Sequence, residues 1–119
     1  MKSIEIVLAG TAAAAKHYVV PKEPCRILGM YVSPAAAQAA AASVQIGKEG
    51  AAHSVLTADL NGKGAGDVAA GAYTASVTAA EKAQVFGPTL PFELTVDLNA
   101  DSSLGITILY DEYLVGVNA

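Results

Sequence analysis

The sequence predicts an all-β fold, a single antiparallel β-sandwich domain spanning residues 1–119. Three observations lead to it. Bulky apolar residues alternate with polar ones at period two, most cleanly in FELTVDL (92–98), where Phe92, Leu94, Val96 and Leu98 oppose Glu93, Thr95 and Asp97. Clusters of Gly, Pro, Asn and Asp separate such segments at short intervals. At 119 residues the chain has the length of one ordinary domain.

Along the chain, Ile4, Ile6 and Leu8 alternate with Ser3, Glu5 and Val7, which predicts a first strand. The same stretch, MKSIEIVLAGTAAAAK, imitates a secretory signal, but Glu5 interrupts what would be its apolar run. HYVV (17–20) and CRILGMYV (25–32) follow as strands around Pro21 and Pro24, which suit an edge or a bend. SVQI (43–46) and SVLTA (54–58), joined across Gly47-Lys48-Glu49-Gly50, form a hairpin signal. FELTVDL turns through Asn99-Ala100-Asp101-Ser102-Ser103 into LGITILYDEYLV (104–115), the longest candidate strand. Seven or eight strands result, with Ile4, Ile6, Val44, Ile46, Phe92, Leu94, Val96, Ile106, Ile108 and Tyr110 facing inward and Glu93, Thr95 and Asp97 on a wet face.

Two alanine tracts interrupt the pattern. SPAAAQAAAAS (33–43) offers Ser33 as a cap and Pro34 at a first helical position, and suits either a short helix or a compact loop. VTAAEKAQV (77–85) is a second candidate helical turn, with Glu81 and Lys82 on its polar side. Alanine supplies 25 of the residues, and burying a methyl gains far less than the ~1.5–3 kcal/mol of a Leu or Ile side chain. The core one chain makes for itself is therefore expected to be thin, with neighbouring subunits adding burial.

Composition narrows the function classes. A net charge of −4 with seven scattered basic residues argues against nucleic acid. No segment reaches the ~18 apolar residues that suggest a membrane span. The lone Cys25 permits no internal disulfide or four-cysteine zinc site, and a reducing cytosol suits its folding. NGKGAGD (61–67) lacks the hydroxyl that follows lysine in a P-loop, has the wrong spacing for a dinucleotide loop, and carries Lys63 and Ala70 where a calcium loop needs oxygen ligands. It reads as a turn after a strand. His17 and His53 have no partner spacing that defines a metal site, and Cys25 heading an apolar strand reads as packing. Asp111 and Glu112, adjacent in a strand, point to opposite faces and cannot share a substrate. Tyr18, Tyr31, Tyr73, Tyr110 and Tyr113 raise a carbohydrate platform as an alternative, a modest one with no Trp and two Phe. No enzymatic constellation and no cofactor are expected.

Taken in order, CRILGMYVSPAAAQAAAASVQIGKEG and GAYTASVTAAEKAQVFGPTLPFELTVDLNADSSLGITILYDEYL resemble the head decoration, or cement, proteins of tailed bacteriophages over roughly residues 17–115. The shared pattern is a strand, a small-residue loop, VQIGKEG, an Ala/Gly segment, an alternating strand, a polar turn and GITILYDEY. The resemblance implies a jelly-roll-like sandwich, usually a homotrimer, made in the host cytoplasm and placed on the capsid exterior, where it clamps neighbouring major capsid subunits. A carbohydrate- or surface-binding module, such as a head-fibre base or tail component, is the alternative. Both faces of the 27–32 strand are apolar, so Leu28, Met30 and Val32, with Leu109 from the last strand, are expected to line the trimer interface.

Overall fold

The computed structural model describes residues 1–10, 13–39, 41–75 and 77–112, and for residues 52–54 the backbone alone. The chain is an antiparallel β-sandwich. Its strands are β1 (Lys2–Gly10), β2 (Ala15–Val19), β3 (Cys25–Pro34), β4 (Ser43–Lys48), β5 (Ala51–Asp59), β6 (Ala69–Ala70), β7 (Ala72–Tyr73), β8 (Phe92–Asp97) and β9 (Ser102–Glu112). A four-stranded sheet runs β1-β9-β3-β6 and a five-stranded sheet runs β2-β8-β4-β5-β7. With β7 set aside as an added edge, the chain passes between the sheets in the order of a jelly roll, the double Greek key that folds eight strands into two layers. The expected extension of the last strand to Val115, together with Tyr113, lies outside the described residues.

Alternation builds the core as expected. Val44, Ile46, Phe92, Leu94, Val96, Ile106 and Ile108 are buried, and Ile4, Ile6 and Tyr110 pack against them half-buried. The rings of Phe86 and Phe92 meet edge-on at 4.9 Å, closing one end where Phe86 and Cys25 exchange backbone hydrogen bonds. The 43–58 hairpin forms, its turn at Glu49-Gly50 with Gly50 at φ 80, a conformation that costs glycine least.

Two expectations change on folding. In β3, Ile27 pairs with Tyr110 while Gly29 pairs with Leu109, so Leu28 is the extra residue of a bulge. The bulge shifts the alternation by one residue, and Ile27, Met30 and Val32 all turn inward. Glu93 is not on a wet face: at 2% exposure it is buried, accepting hydrogen bonds from Tyr18 Oη (3.1 Å) and the Gly50 amide (3.3 Å). Of the two readings open for the 33–43 tract, the structure shows the loop: Ser33 and Pro34 end β3, and residues 35–39 and 41–42 form no helix. In contrast, Ala79–Lys82 does form one helical turn, α1, capped by Thr78 and Glu81 in a reciprocal capping box.

The loop has a specific anchor. Gln38 is buried and uses its whole amide: Oε1 accepts from Asn99 and Ala100, and Nε2 donates to the carbonyls of Ala36 and Ala100. Its backbone amide donates to Lys63 O, which ties in the glycine-rich turn.

Candidate interaction surface

The outward side chains of the two sheets meet different surroundings. On the five-stranded sheet, Val55 and Thr57 of β5 point away from the core. Val55 is nonetheless buried, because the chain beyond β7 folds back: the Thr74 amide donates to Val55 O, the Thr57 and Thr74 hydroxyls lie 2.8 Å apart, and α1 packs on β5. Gln45 Nε2 reaches Thr57 Oγ1 at 3.4 Å, extending a polar row across the strands. Tyr18 lies over Glu93 at the other end, and the hydrogen bond its hydroxyl donates to the carboxylate, with desolvation and the carboxylate charge besides, raises the phenol's pKa above the ordinary value.

The four-stranded sheet keeps its outer face open. Val7 pairs with Gly105, which pairs with Ser33, and Glu5 pairs with Thr107, which pairs with Tyr31. Because Gly105 has no side chain, the row between Val7 and Ser33 is a trough, and with Tyr31 and Val68 on its far wall it forms an open groove of about 550 Å³. Val7 is 80% exposed, and Tyr31 and Val68 are exposed too. A Cβ on Gly105 would meet nothing within 4 Å, and its φ is not in the left-handed region. No contact within the protomer therefore requires glycine there, in a strand that glycine weakens.

The four residues expected to share an interface are divided by the β3 bulge. Leu28 (40% exposed) is on the surface and Leu109 is half-buried, lying across Gly29. Met30 (1%) and Val32 (0%) are core residues of the protomer itself. A three-fold interface lined by all four is not available to the folded chain. Sequence reading missed Val7, Gly105, Tyr31 and Val68 as a group, because they converge only through cross-strand register. The exposed Val7, out of phase with its buried neighbours, was the one local signal.

The residues tested for chemistry do not converge. The loop 61–67 is not a phosphate cradle: the amides of Asn61, Gly62, Lys63, Gly64, Gly66 and Asp67 all donate to acceptors of the protein, among them Ala39 O, Pro34 O and the carboxylates of Asp59 and Asp67. An anion-binding loop needs such donors free. Cys25 is buried, and desolvation, with Glu23 nearby, pushes its thiol up to about 11, away from the thiolate a nucleophile requires. His17 lies on β2 and His53 on β5, with β8 and β4 between them; the His53 side chain is outside the described residues. Glu112 is paired with Lys2, and Asp111 stands opposite Arg26 in the ladder. Tyr18, Tyr31 and Tyr73 stand on separate strands, the last under the Lys82 ammonium at 4.5 Å, and Tyr110 faces inward. They form no shared platform. Among the described residues there is no group of three or more His, Cys, Asp or Glu placed to hold a metal ion, and no helix long and apolar enough to cross a membrane.

No protein family, curated protein or solved structure matches the chain.

Proposed function

We propose that the chain is a structural virion protein, a decoration protein that docks on the outside of a tailed-phage head and holds major capsid subunits together without catalysing a reaction. The observation that carries this reading is the open apolar face around Gly105, on a sandwich whose other outer face is covered in part by its own chain. A jelly roll alone does not specify a role, since the same architecture serves capsid proteins, lectins and cupins. An apolar patch with a trough at its centre suits a protein surface, and its single carboxylate, Glu5, gives a docking partner one charge to pair with.

The mechanism is linkage. A protein that binds the assembled shell and not its dispersed subunits stabilises the shell by mass action. Heads stripped of the chain are expected to open at a lower temperature than decorated ones, and adding the protein back restores the difference. Equal melting of stripped and decorated heads would reject the stabilising role. Absence of the chain from purified particles, read by mass spectrometry, would reject virion location altogether. A glycan array on which the isolated protein binds sugar would favour the surface-binding alternative.

A further inference from the structure

Among the described residues the two sheets have four edges, and they are not alike. β6 and β7 are two residues long and β2 is five, and such short edges offer little to a foreign strand. β1 runs nine residues, Lys2–Gly10, bonded to β9 on one side and to no described strand on the other. Its middle, Ile4-Glu5-Ile6-Val7-Leu8-Ala9, contains no proline, lysine or bulge, the devices that normally guard an exposed edge. Its inward residues Ile4, Ile6 and Leu8 pack against the core but stay half-buried.

We propose that β1 pairs with β1 of a second copy, antiparallel about a two-fold axis at Ile6, joining the two four-stranded sheets into one of eight strands. The occupant follows from the strand's own sequence. With the axis at Ile6, all nine residues overlap, Lys2 facing Gly10 of the second copy and Ile4 facing Leu8. Inward side chains then meet only inward apolar side chains, so each copy adds burial to the half-buried Ile4, Ile6 and Leu8 of the other. The carboxylate of Glu5 faces Val7 rather than itself. An axis one residue earlier would set Glu5 against Glu5, and an axis one residue later would leave Lys2 and Ser3 unpaired. The contact is isologous and closes at two copies. Glu5 and Val7 border both this edge and the Gly105 groove, but the pairing runs through the backbone of the strand edge and is read from the oligomeric state alone, so failure of the dimer and failure of shell docking are separate outcomes.

The register gives the test. Sedimentation velocity on the full chain is expected to show a dimer at micromolar concentration. Val7 is exposed, so its replacement leaves the fold intact. Val7→Glu sets two like-charge pairs against Glu5 across the axis and is expected to weaken the dimer roughly tenfold, whereas Val7→Lys sets two opposite-charge pairs there and does not weaken it. Ala9→Glu and Ala9→Lys make the same charge changes opposite Ser3 and should differ little from each other. Ile6→Cys should cross-link as a disulfide dimer on mild oxidation, with Ser3→Cys remaining uncross-linked. A wild-type monomer or trimer overturns the proposal, and so does a Val7 pair that behaves like the Ala9 pair.

Discussion

The outer faces of the two sheets are made of the same kind of strand, alternating and half apolar, yet the chain treats them differently. On the five-stranded sheet, Thr74 and the α1 turn lie against β5, Glu93 is capped by Tyr18 and the Gly50 amide, and Thr57, Thr74 and Gln45 hydrogen-bond in a row. On the four-stranded sheet, Val7, Tyr31 and Val68 stand exposed around a glycine that nothing internal demands. The covered face shows that a thin, alanine-rich chain has segments to spare for closing a sheet. The open one is the face on which the proposed docking rests.

The largest expected effect separates inside from outside within one strand. Met30→Asp buries an unpaired carboxylate in the core, a cost on the order of 3–5 kcal/mol that consumes much of a domain's stability. Loss of soluble protein or of cooperative melting is expected. Leu28→Asp, two residues away on the bulge, should melt within about 1 kcal/mol of the wild type. Similar melting of the two variants would break the assignment of the bulge.

Next comes the joint beneath both faces. Gln38→Ala leaves two amides and two carbonyls without their partner and is expected to cost about 3 kcal/mol by denaturant titration, with the strands retained by circular dichroism.

The third effect is a pH dependence. The Cys25 thiol is raised from an ordinary value near 9 to about 11, so the unfolded chain loses its proton first as pH rises. Stability is full below the unfolded value and falls as pH rises from about 9 towards 11. Cys25→Ala should flatten that part of the pH–stability curve, whatever packing it also loses. An unchanged alkaline slope would show that other groups set it.

The smallest effect has the opposite sign and sharpens the comparison most. Gly105→Ala adds a Cβ that meets nothing and restricts the unfolded chain, so it should be neutral or stabilising by up to about 1 kcal/mol, while filling the trough and weakening any docking there. Gly10→Ala, whose Cβ would come 2.5 Å from Leu98 Cδ1, should instead lower the melting temperature. If Gly105→Ala stabilises the protein and leaves shell binding untouched, the groove is not the docking surface.

Much of the sandwich was legible in the sequence because period-two alternation is a local property. The dry faces of β4, β8 and β9 and the Glu49-Gly50 turn could be read from a few adjacent residues. What escaped depends on partners distant in sequence. Glu93 looks like a solvent-facing residue of an alternating strand until Tyr18 and Gly50 arrive over it. Leu28 looks in phase with Met30 until β9 pairs with Ile27 and Gly29 and squeezes one residue out. Gln38 sits anonymously among alanines, and all but one of its side-chain partners belong to Asn99 and Ala100, far along the chain. β6 and β7 are too short to leave any pattern, and Gly71 between them is held by donating to Met30 O at 2.7 Å. The open face itself was legible only as an exposed Val7, since the trough depends on Gly105 arriving beside it.

Gln38 also has a kinetic consequence. The amide hydrogens of Gln38, Asn99 and Ala100 are held at a single joint between the alanine loop, the glycine-rich turn and the entry to β9. None of the three loops can swing away without releasing the others, so this end of the sandwich opens to solvent as one latch rather than as three independent flaps. In deuterium exchange those amides should share one degree of protection, and that protection measures how rarely the whole end of the molecule comes undone.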